Sequence, residues 1–422
     1  MKDPVVPAGS AEPGTQPRLK DAVVAVTALG RDRPGLIRDI SGRVTELGGN
    51  IVHVEQASVV GLFTCFMMVE PTDLPVGLDI WRFAYELSLL GRDLGIDLKA
   101  EVVERSGVRT RAEKDLRIIT VVGSDRRGVM HAITDAIARV GANVERMHHV
   151  ARGDFMAFDI LVDVKDIDID ALRSAVRRAC ESVGVDAVIQ QDSMFRTRKR
   201  LVVFDMDSTI VDGEVIDELA KAAGVEDRVA ELTARAMRGE LDFASALRER
   251  VRLLKGLDLA TLNYIARSMR LTPGAEDLLL ALKEMGFKVA LISGGFTFFT
   301  DKLQKDLGFD HAFANELVVV DGKLTGEVRE PIIDAERKAQ ILKELAAREG
   351  IKLEEVVAVG DGANDRIMIK DAGLGIAFNA KDVLKGVADG SLQKSHLRGL
   401  LHALGATDAD LRRIEEKRKA AK

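Results

Sequence analysis

Two rhythms of apolar and polar positions divide this chain. In its first half, strand-length apolar runs open at Ala22–Leu29 and again at Leu116–Val122. Each run leads through a Gly/Asp turn into apolar residues at helical spacing, in the first instance Leu36, Ile37, Ile40, Val44 and Leu47. Gly48 and Gly49 stop that helix, and Gly141 stops its later counterpart, as glycines do at helix C-termini. Two further strands, NIVHVEQASV and LFTCFMMVE, follow the first helix, then a second helix and a last strand. The order βαββαβ predicts a ferredoxin-like α+β unit.

That unit occurs twice. VTALGRDRPGLIRDISGRVTELGGNIVHVEQASV and TVVGSDRRGVMHAITDAIARVGANVERMHHVARG align without a gap. Gly30 falls on Gly123, Asp32 on Asp125, Gly35 on Gly128 and Asn50 on Asn143. The repeat resembles ACT domains, small modules that bind amino acids and regulate metabolic enzymes. The resemblance implies a ligand near the loop after the first strand, LGRDRPG or VGSDRRG, usually where two modules meet. Gly30, Asp32, Gly35, Asn50, Gly123 and Asp125 are therefore candidates for a regulatory amino-acid site. The second copy departs from the first, with Arg127 in place of Pro34. The same glycines also suit a plain turn into a helix.

From residue 201 the rhythm changes to buried-type strands alternating with helical patterns: RLVVFDMD, FKVALISGG and EEVVAVGDG. This predicts an α/β, Rossmann-like parallel sheet. A stretch rich in Ala, Arg, Glu and Leu, about 213–271, interrupts it and reads as a small helical cap. The expected organisation is a disordered tail (1–20), ACT-like domains at 21–105 and 115–191, an α/β domain at 200–395 and a helical tail at 396–422. RSGVRTRAEKD, at 105–115, reads as a linker. QDSMFRTRKR, at 191–200, separates the second copy from the α/β domain, and its RTRKR cluster reads as a solvated face.

Composition narrows the function classes. With 422 residues, two or three domains are expected, and 46% hydrophobic and 30% charged residues describe a globular chain. A net charge of −6 argues against a nucleic-acid or anionic-membrane partner. Two cysteines, Cys65 and Cys180, sit in apolar patterns and cannot build a disulfide framework or a thiolate metal site. The adjacent His148 and His149 make a poor chelate, because neighbouring strand residues face opposite ways. No apolar run is long enough to span a bilayer, so a cytoplasmic setting is expected.

The chemistry gathers where the parallel strands end, the usual ligand edge of such a sheet. The first strand delivers Asp205, Asp207, Ser208 and Thr209, the second Ser293, Gly294 and Gly295, the third Asp361, Asn364 and Asp365. Lys338 lies in a helical stretch able to point at the same edge. Carboxylates so crowded repel unless a cation joins them, and oxygen-only ligands suit Mg²⁺. Glycine-flanked N–H groups, Ser293 and Lys338 suit a phosphate, and a carboxylate can attack phosphorus.

Asp-Met-Asp-Ser-Thr, Ser-Gly-Gly, a lone Lys and Gly-Asp-Gly-x-Asn-Asp, in that order, resemble the four motifs of haloacid-dehalogenase-type phosphatases. Among these the chain is most similar to the phosphoserine phosphatases, over residues 201 to about 390. The resemblance implies Asp205 as nucleophile and Asp207 as general acid and base. It implies Mg²⁺ held by Asp205, the Asp207 backbone carbonyl and Asp361, with Asp365 in support. Ser293, Gly294, Lys338 and Asn364 would hold the phosphoryl group. Glu214 and Arg250 would meet the substrate's ammonium and carboxylate, while Met237 and Phe243 close an apolar wall. Phosphohomoserine and phosphothreonine remain alternative substrates, since one methyl or methylene changes binding only modestly. L-serine is the expected effector of the ACT-like repeat, and pairing of sheet edges predicts a homodimer.

Overall fold

In the computed structural model the described residues are 22–104, 113–152, 156–193, 196, 198–380, 382–393 and 396–420. The expected tail at 1–20 and residues 105–112 of the expected linker lie outside them. The chain divides into two compact units, residues 1–112 and 113–422.

The first unit contains β1 (Ala22–Arg31), α1 (Leu36–Glu46), β2 (Gly49–Val59), β3 (Leu62–Pro71), α2 (Ile80–Leu94) and β4 (Asp97–Glu104). Its strands form an antiparallel sheet in the order β2-β3-β1-β4. Apolar residues from alternate strand positions (Val24, Val26, Met67) meet Ile40, Phe83 and Leu87 from the helices in one core. The βαββαβ expectation is met. Gly30 has a packing reason to lack a side chain: a Cβ there would lie 2.3 Å from Ile96 Cγ2.

The second unit begins with the same plan: β5 (Leu116–Gly123), α3 (Val129–Arg139), β6 (Asn143–Arg152), β7 (Met156–Asp163), α4 (Ile169–Val183) and β8 (Val185–Gln191). It continues through β9 (Leu201–Phe204) into four helices, α5 (Val215–Ala223), α6 (Glu226–Met237), α7 (Phe243–Leu253) and α8 (Leu259–Ser268). Next come α9 (Ala275–Glu284), β10 (Lys288–Phe296), α10 (Thr297–Leu307), β11 (His311–Asn315) and an antiparallel hairpin of β12 (Leu317–Val320) and β13 (Lys323–Val328). The remainder is α11 (Ala335–Arg348), β14 (Val356–Gly360), α12 (Arg366–Asp371), β15 (Leu374–Phe378), α13 (Asp382–Lys385), β16 (Gly390–Leu392), α14 (Gly399–Ala403) and α15 (Asp408–Ala420).

Apart from the β12–β13 hairpin, these strands share one ten-stranded sheet in the order β11-β10-β9-β14-β15-β16-β8-β5-β7-β6. The run from β11 to β16 is parallel, and β9 and β14 are buried at every residue, as a sheet covered on both faces requires. The join to the second ferredoxin-like copy is antiparallel: Gly390 pairs with Val188 and Ser391 with Ala187. Nothing in the local pattern announces this join. β16 is three residues long, and a Cβ at Gly390 would lie 2.5 Å from Val188 Cγ2, so only glycine lets the strands meet.

One expectation is corrected between the two parts of this unit. The RTRKR cluster is not a solvated face throughout. Arg196 pairs with the buried Asp159, and Lys199 is itself buried, donating to the carbonyls of Glu354 (2.5 Å) and Gly373 (2.9 Å). Two of its charges therefore anchor the segment that enters β9. Both cysteines are buried and unpaired, and among the described residues no helix is long and apolar enough to cross a membrane.

Candidate active site

β9 lies between β10 and β14 in the middle of the parallel sheet, so its C-terminal residue is delivered to the ligand edge among neighbours on both sides. Asp205 follows it, 3% exposed, with its N–H donating to Val359 O (2.9 Å) and thereby continuing the pairing with β14. The chain then turns tightly. The N–H groups of Ile210 and Val211 both donate to Met206 O, and Ser208 sits at φ 55°. This turn brings Asp207 Oδ1 to the N–H of Val215, at the start of α5 (2.9 Å).

The second strand end forms a compact loop. The N–H of Gly295 donates to Ser293 Oγ (2.8 Å), and a Cβ at Gly295 would come within 3.0 Å of both Asp207 Oδ2 and Ser293 Oγ. Ser293 is fully buried. Asn315, absent from the sequence-based set, clamps this loop. Its amide donates to Gly294 O (2.8 Å) and accepts from the N–H of Ile333 (2.7 Å). A lone Asn after a strand carries no signal that would have revealed it.

The third strand end needs its glycines for close approach. A Cβ at Gly360 would lie 2.4 Å from the Asp365 carboxyl carbon, and one at Gly362 would lie 2.2 Å from Asn364 Oδ1. Asp365 Oδ2 accepts from the N–H groups of Asp361 (3.2 Å) and Gly362 (3.1 Å), folding the loop around its own carboxylate. Carboxylate oxygens of Asp205, Asp361 and Asp365 all lie within 4.8 Å of one another. Asp365 is thus a full member of the acidic cluster, while Asp207 faces the Ser293–Gly295 loop.

Lys338 is the cation that sequence reading placed here. Asp334 caps α11 by accepting from the N–H of Arg337, and Lys338, in the first turn, is wholly buried. Its Nζ reaches Asp205 Oδ1 (2.9 Å) and Asp365 Oδ1 (2.8 Å). Burial alone would lower its pKa, but the two aspartates outweigh that and hold the ammonium well above its ordinary range. Burial and the neighbouring Asp365 push Asp205 well up, against the pull of Lys338. Burial, then Glu214, raises Asp207 to about 7.

One cation among three carboxylates leaves negative charge in excess, and the donors are all hard oxygens. The cluster therefore fits a hard divalent ion such as Mg²⁺.

The four helices contribute a second charged pair. Glu214 occupies the N-cap position of α5, and Asp242 caps α7, which carries Phe243 and Arg250. Burial lowers the Arg250 pKa, opposed first by Glu214, then by Asp217 and Asp207. Its Nε donates to Ala246 O (3.3 Å), which fixes the fork along the helix. Phe243 reaches the loop, since a Cβ at Gly294 would lie 2.9 Å from Phe243 Cζ. Met237, the other residue expected in the apolar wall, ends α6 with 63% exposure.

In the ferredoxin-like copies the candidate loop residues have structural partners. Gly35 and Gly128 hold left-handed N-cap positions at φ 96° and 85°. Asp32 accepts from Ser58 Oγ (2.5 Å), and Gly123 lies against Val185. Asn50 and Asp125 are exposed.

Comparison with known proteins agrees with this geometry. The sequence matches the haloacid dehalogenase-like hydrolase family over residues 199–373 and the ACT domain family over residues 22–101 and 116–190. A phosphoserine phosphatase of Archaeoglobus fulgidus is 51% identical over 81% of this chain and 97% of its own length. One from Streptomyces coelicolor is 37% identical over 90% of this chain and 92% of its own. Among solved structures, a HAD family hydrolase of Salmonella enterica superposes with a TM-score of 0.62 at 29% identity, covering 69% of this chain and 99% of that one. The chain belongs to the phosphoserine phosphatase family of haloacid dehalogenase-like hydrolases and carries ACT domains before its hydrolase domain.

Proposed function

We propose that this chain hydrolyses O-phospho-L-serine to L-serine and phosphate, the last step of serine biosynthesis. The observation that carries the reading is the pairing of two charge sets at one sheet edge. Lys338 and the Asp205, Asp361 and Asp365 cluster suit a phosphoryl group with its metal, and Glu214 with Arg250 suits an amino acid's two charges. The substrate named for the relatives carries both.

In this reading Asp205 attacks phosphorus, forming an aspartyl phosphate as the bond to the serine oxygen breaks. Asp207, protonated at a pKa near 7, donates its proton to that leaving oxygen. The resulting Asp207 carboxylate then takes a proton from water as the water attacks phosphorus, which releases phosphate and frees Asp205. Lys338, Ser293, Gly294 and Asn364 orient the phosphoryl oxygens, and Asn315 keeps the Ser293 loop in place. Asp205, the Asp207 carbonyl and Asp361, with Asp365 beside them, would hold Mg²⁺, which supplies positive charge toward the transferring phosphoryl group.

The ACT domains are read as the regulatory part, with L-serine as effector. The first sheet exposes Val52 and Val54 on its edge strand β2 and Phe66 on its outer face, which suits association into a homodimer. Two buried, unpaired cysteines suit a reducing cytoplasm.

A panel of phosphoserine, phosphothreonine and phosphohomoserine, with Mg²⁺ present and then chelated, tests the reaction. Turnover is expected to be fastest on phosphoserine and to vanish with chelation. Asp205→Asn should lower kcat by at least roughly a thousandfold and abolish acid-stable labelling by ³²P-phosphoserine. Full activity of that variant would overturn the assignment. Light scattering of the full chain should give twice the monomer mass.

A further inference from the structure

The candidate site draws its groups from two sources. Phe243 and Arg250 ride on α7, one of the four helices, while the Ser293–Gly295 loop and Lys338 belong to the sheet and its flanking helix. A substrate that spans both is recognised only if α7 stands at a fixed place relative to that loop. The C-terminal end of α7 is held by the β12–β13 hairpin. Gly256 N–H donates to Leu324 O (2.9 Å), and Leu324 N–H donates to Leu257 O (2.8 Å).

Closer to Phe243, a side chain holds the helix. Residues 248 and 250 lie about 200° apart around α7, so they serve different neighbours. Arg248 reaches the 329–334 segment that joins β13 to α11, where its Nε (3.1 Å) and Nη2 (2.6 Å) both donate to Glu330 Oε1. Glu330 Oε2 accepts from Ile332 N–H (3.1 Å), which fixes the direction of the carboxylate. One residue on, Ile333 N–H donates to Asn315 Oδ1 (2.7 Å), and the Asn315 amide donates to Gly294 O (2.8 Å). The same segment ends in Asp334, the cap of α11, four residues before Lys338. A connected path thus runs from α7 to both phosphoryl-binding elements. It closes on itself, because the Phe243 ring of α7 lies against Gly294.

We propose that Arg248 and Glu330 are positioning residues that set substrate specificity, holding α7 so that Phe243 and Arg250 stand one phosphorylated amino acid's length from the Ser293 loop. The inference rests on the proposed reaction for its substrate. The pair acts through α7 and needs no contact with the substrate. Its side chains are 45% and 58% exposed, so neutral replacements strand no buried charge and the fold is retained.

The test compares two esters on the full chain by phosphate release: phosphoserine, and ethyl phosphate, which lacks the ammonium and carboxylate. Glu330→Gln and Arg248→Gln should each lower kcat/KM for phosphoserine by roughly two- to fivefold, mainly through KM, the range of a half-exposed ion pair. Ethyl phosphate should change by less than about twofold. The double variant should be no worse than either single one, since both remove one interaction. Equal losses on the two esters would mark a merely structural role and overturn the proposal, as would additive losses in the double variant. If the parent chain prefers phosphoserine and both single variants keep that preference, this inference alone fails. If the parent shows no such preference, the proposed reaction fails and this inference falls with it.

Discussion

The two ferredoxin-like copies pair their first and third strands in the same register, yet one position on their outer faces has opposite fates. In the first copy Thr27 pairs with Phe66 across β1 and β3, and Phe66 is 37% exposed. In the second, Thr120 pairs with Asp159 across β5 and β7, and both are buried. Thr120 Oγ1 donates to Asp159 Oδ1 (2.6 Å), and Arg196 pairs with the same carboxylate. The outer face of the second copy is covered because α14 and α15 pack on β5 and β6, with Gln190 donating to Ala403 O (2.8 Å). Where no described residue of its own unit covers the face, an aromatic stands in solvent at small cost. Beneath a covering, a charge is tolerated only with its partners present. Alternation decides which face a residue takes, and the neighbours decide what that placement costs.

The comparison can be broken most strongly at Asp159. Asp159→Ala should lower unfolding stability by about 3–5 kcal/mol, because it strands the Arg196 charge, whereas Phe66→Ala at the matching position should cost under about 1 kcal/mol. Equal effects in denaturant melts would show that the two faces are alike. Leu401→Ala, a fully buried position on the covering helix α14, should cost about 2–5 kcal/mol through the cavity it leaves. Near-neutral stability there would show that the covering contributes nothing.

A smaller effect sits at Lys199, which ties the second copy to the hydrolase strands. Burial lowers its pKa to about 8 from 10.5. Between those values the unfolded chain keeps a proton that the folded chain has released. This residue's contribution to stability therefore rises with pH from about 8 to 10.5, by at most about 3 kcal/mol. Lys199→Met should flatten the difference in stability across that window, measured against the parent chain. An unchanged slope would mean that Lys199 is not the titrating group. A modest change is also expected for Gly61→Ala, at a turn of the uncovered copy with φ 76° and open space around it, costing about 1–2 kcal/mol.

Much of the candidate site was legible in the chain because the local signals were redundant. Asp205 and Asp207 after an apolar strand, a Ser-Gly-Gly strand end and a Gly-Asp-Gly loop each mark the same edge, and a parallel sheet brings its strand ends together. Lys338 was found as a lone cation in a helical stretch, and the structure buries it between Asp205 and Asp365 in the first turn of α11. Asn315 and Asp217 were not legible, since each acts through a neighbour that only folding supplies: Gly294 for one, Arg250 for the other. Met237, expected in an apolar wall, stands exposed at the end of α6.

By itself the sequence determined what short-range physics controls: the periods that make strands and helices, the glycines that end them, the repeat, and the acidic pair at a strand end. Tertiary structure alone decided which sheet edge meets another. The β8–β16 join, the covering by α14 and α15, and the burial of Asp159 and Lys199 all depend on contacts between residues far apart in the chain. No local pattern carries that information, because the desolvation cost of a charge is set by whatever packs over it.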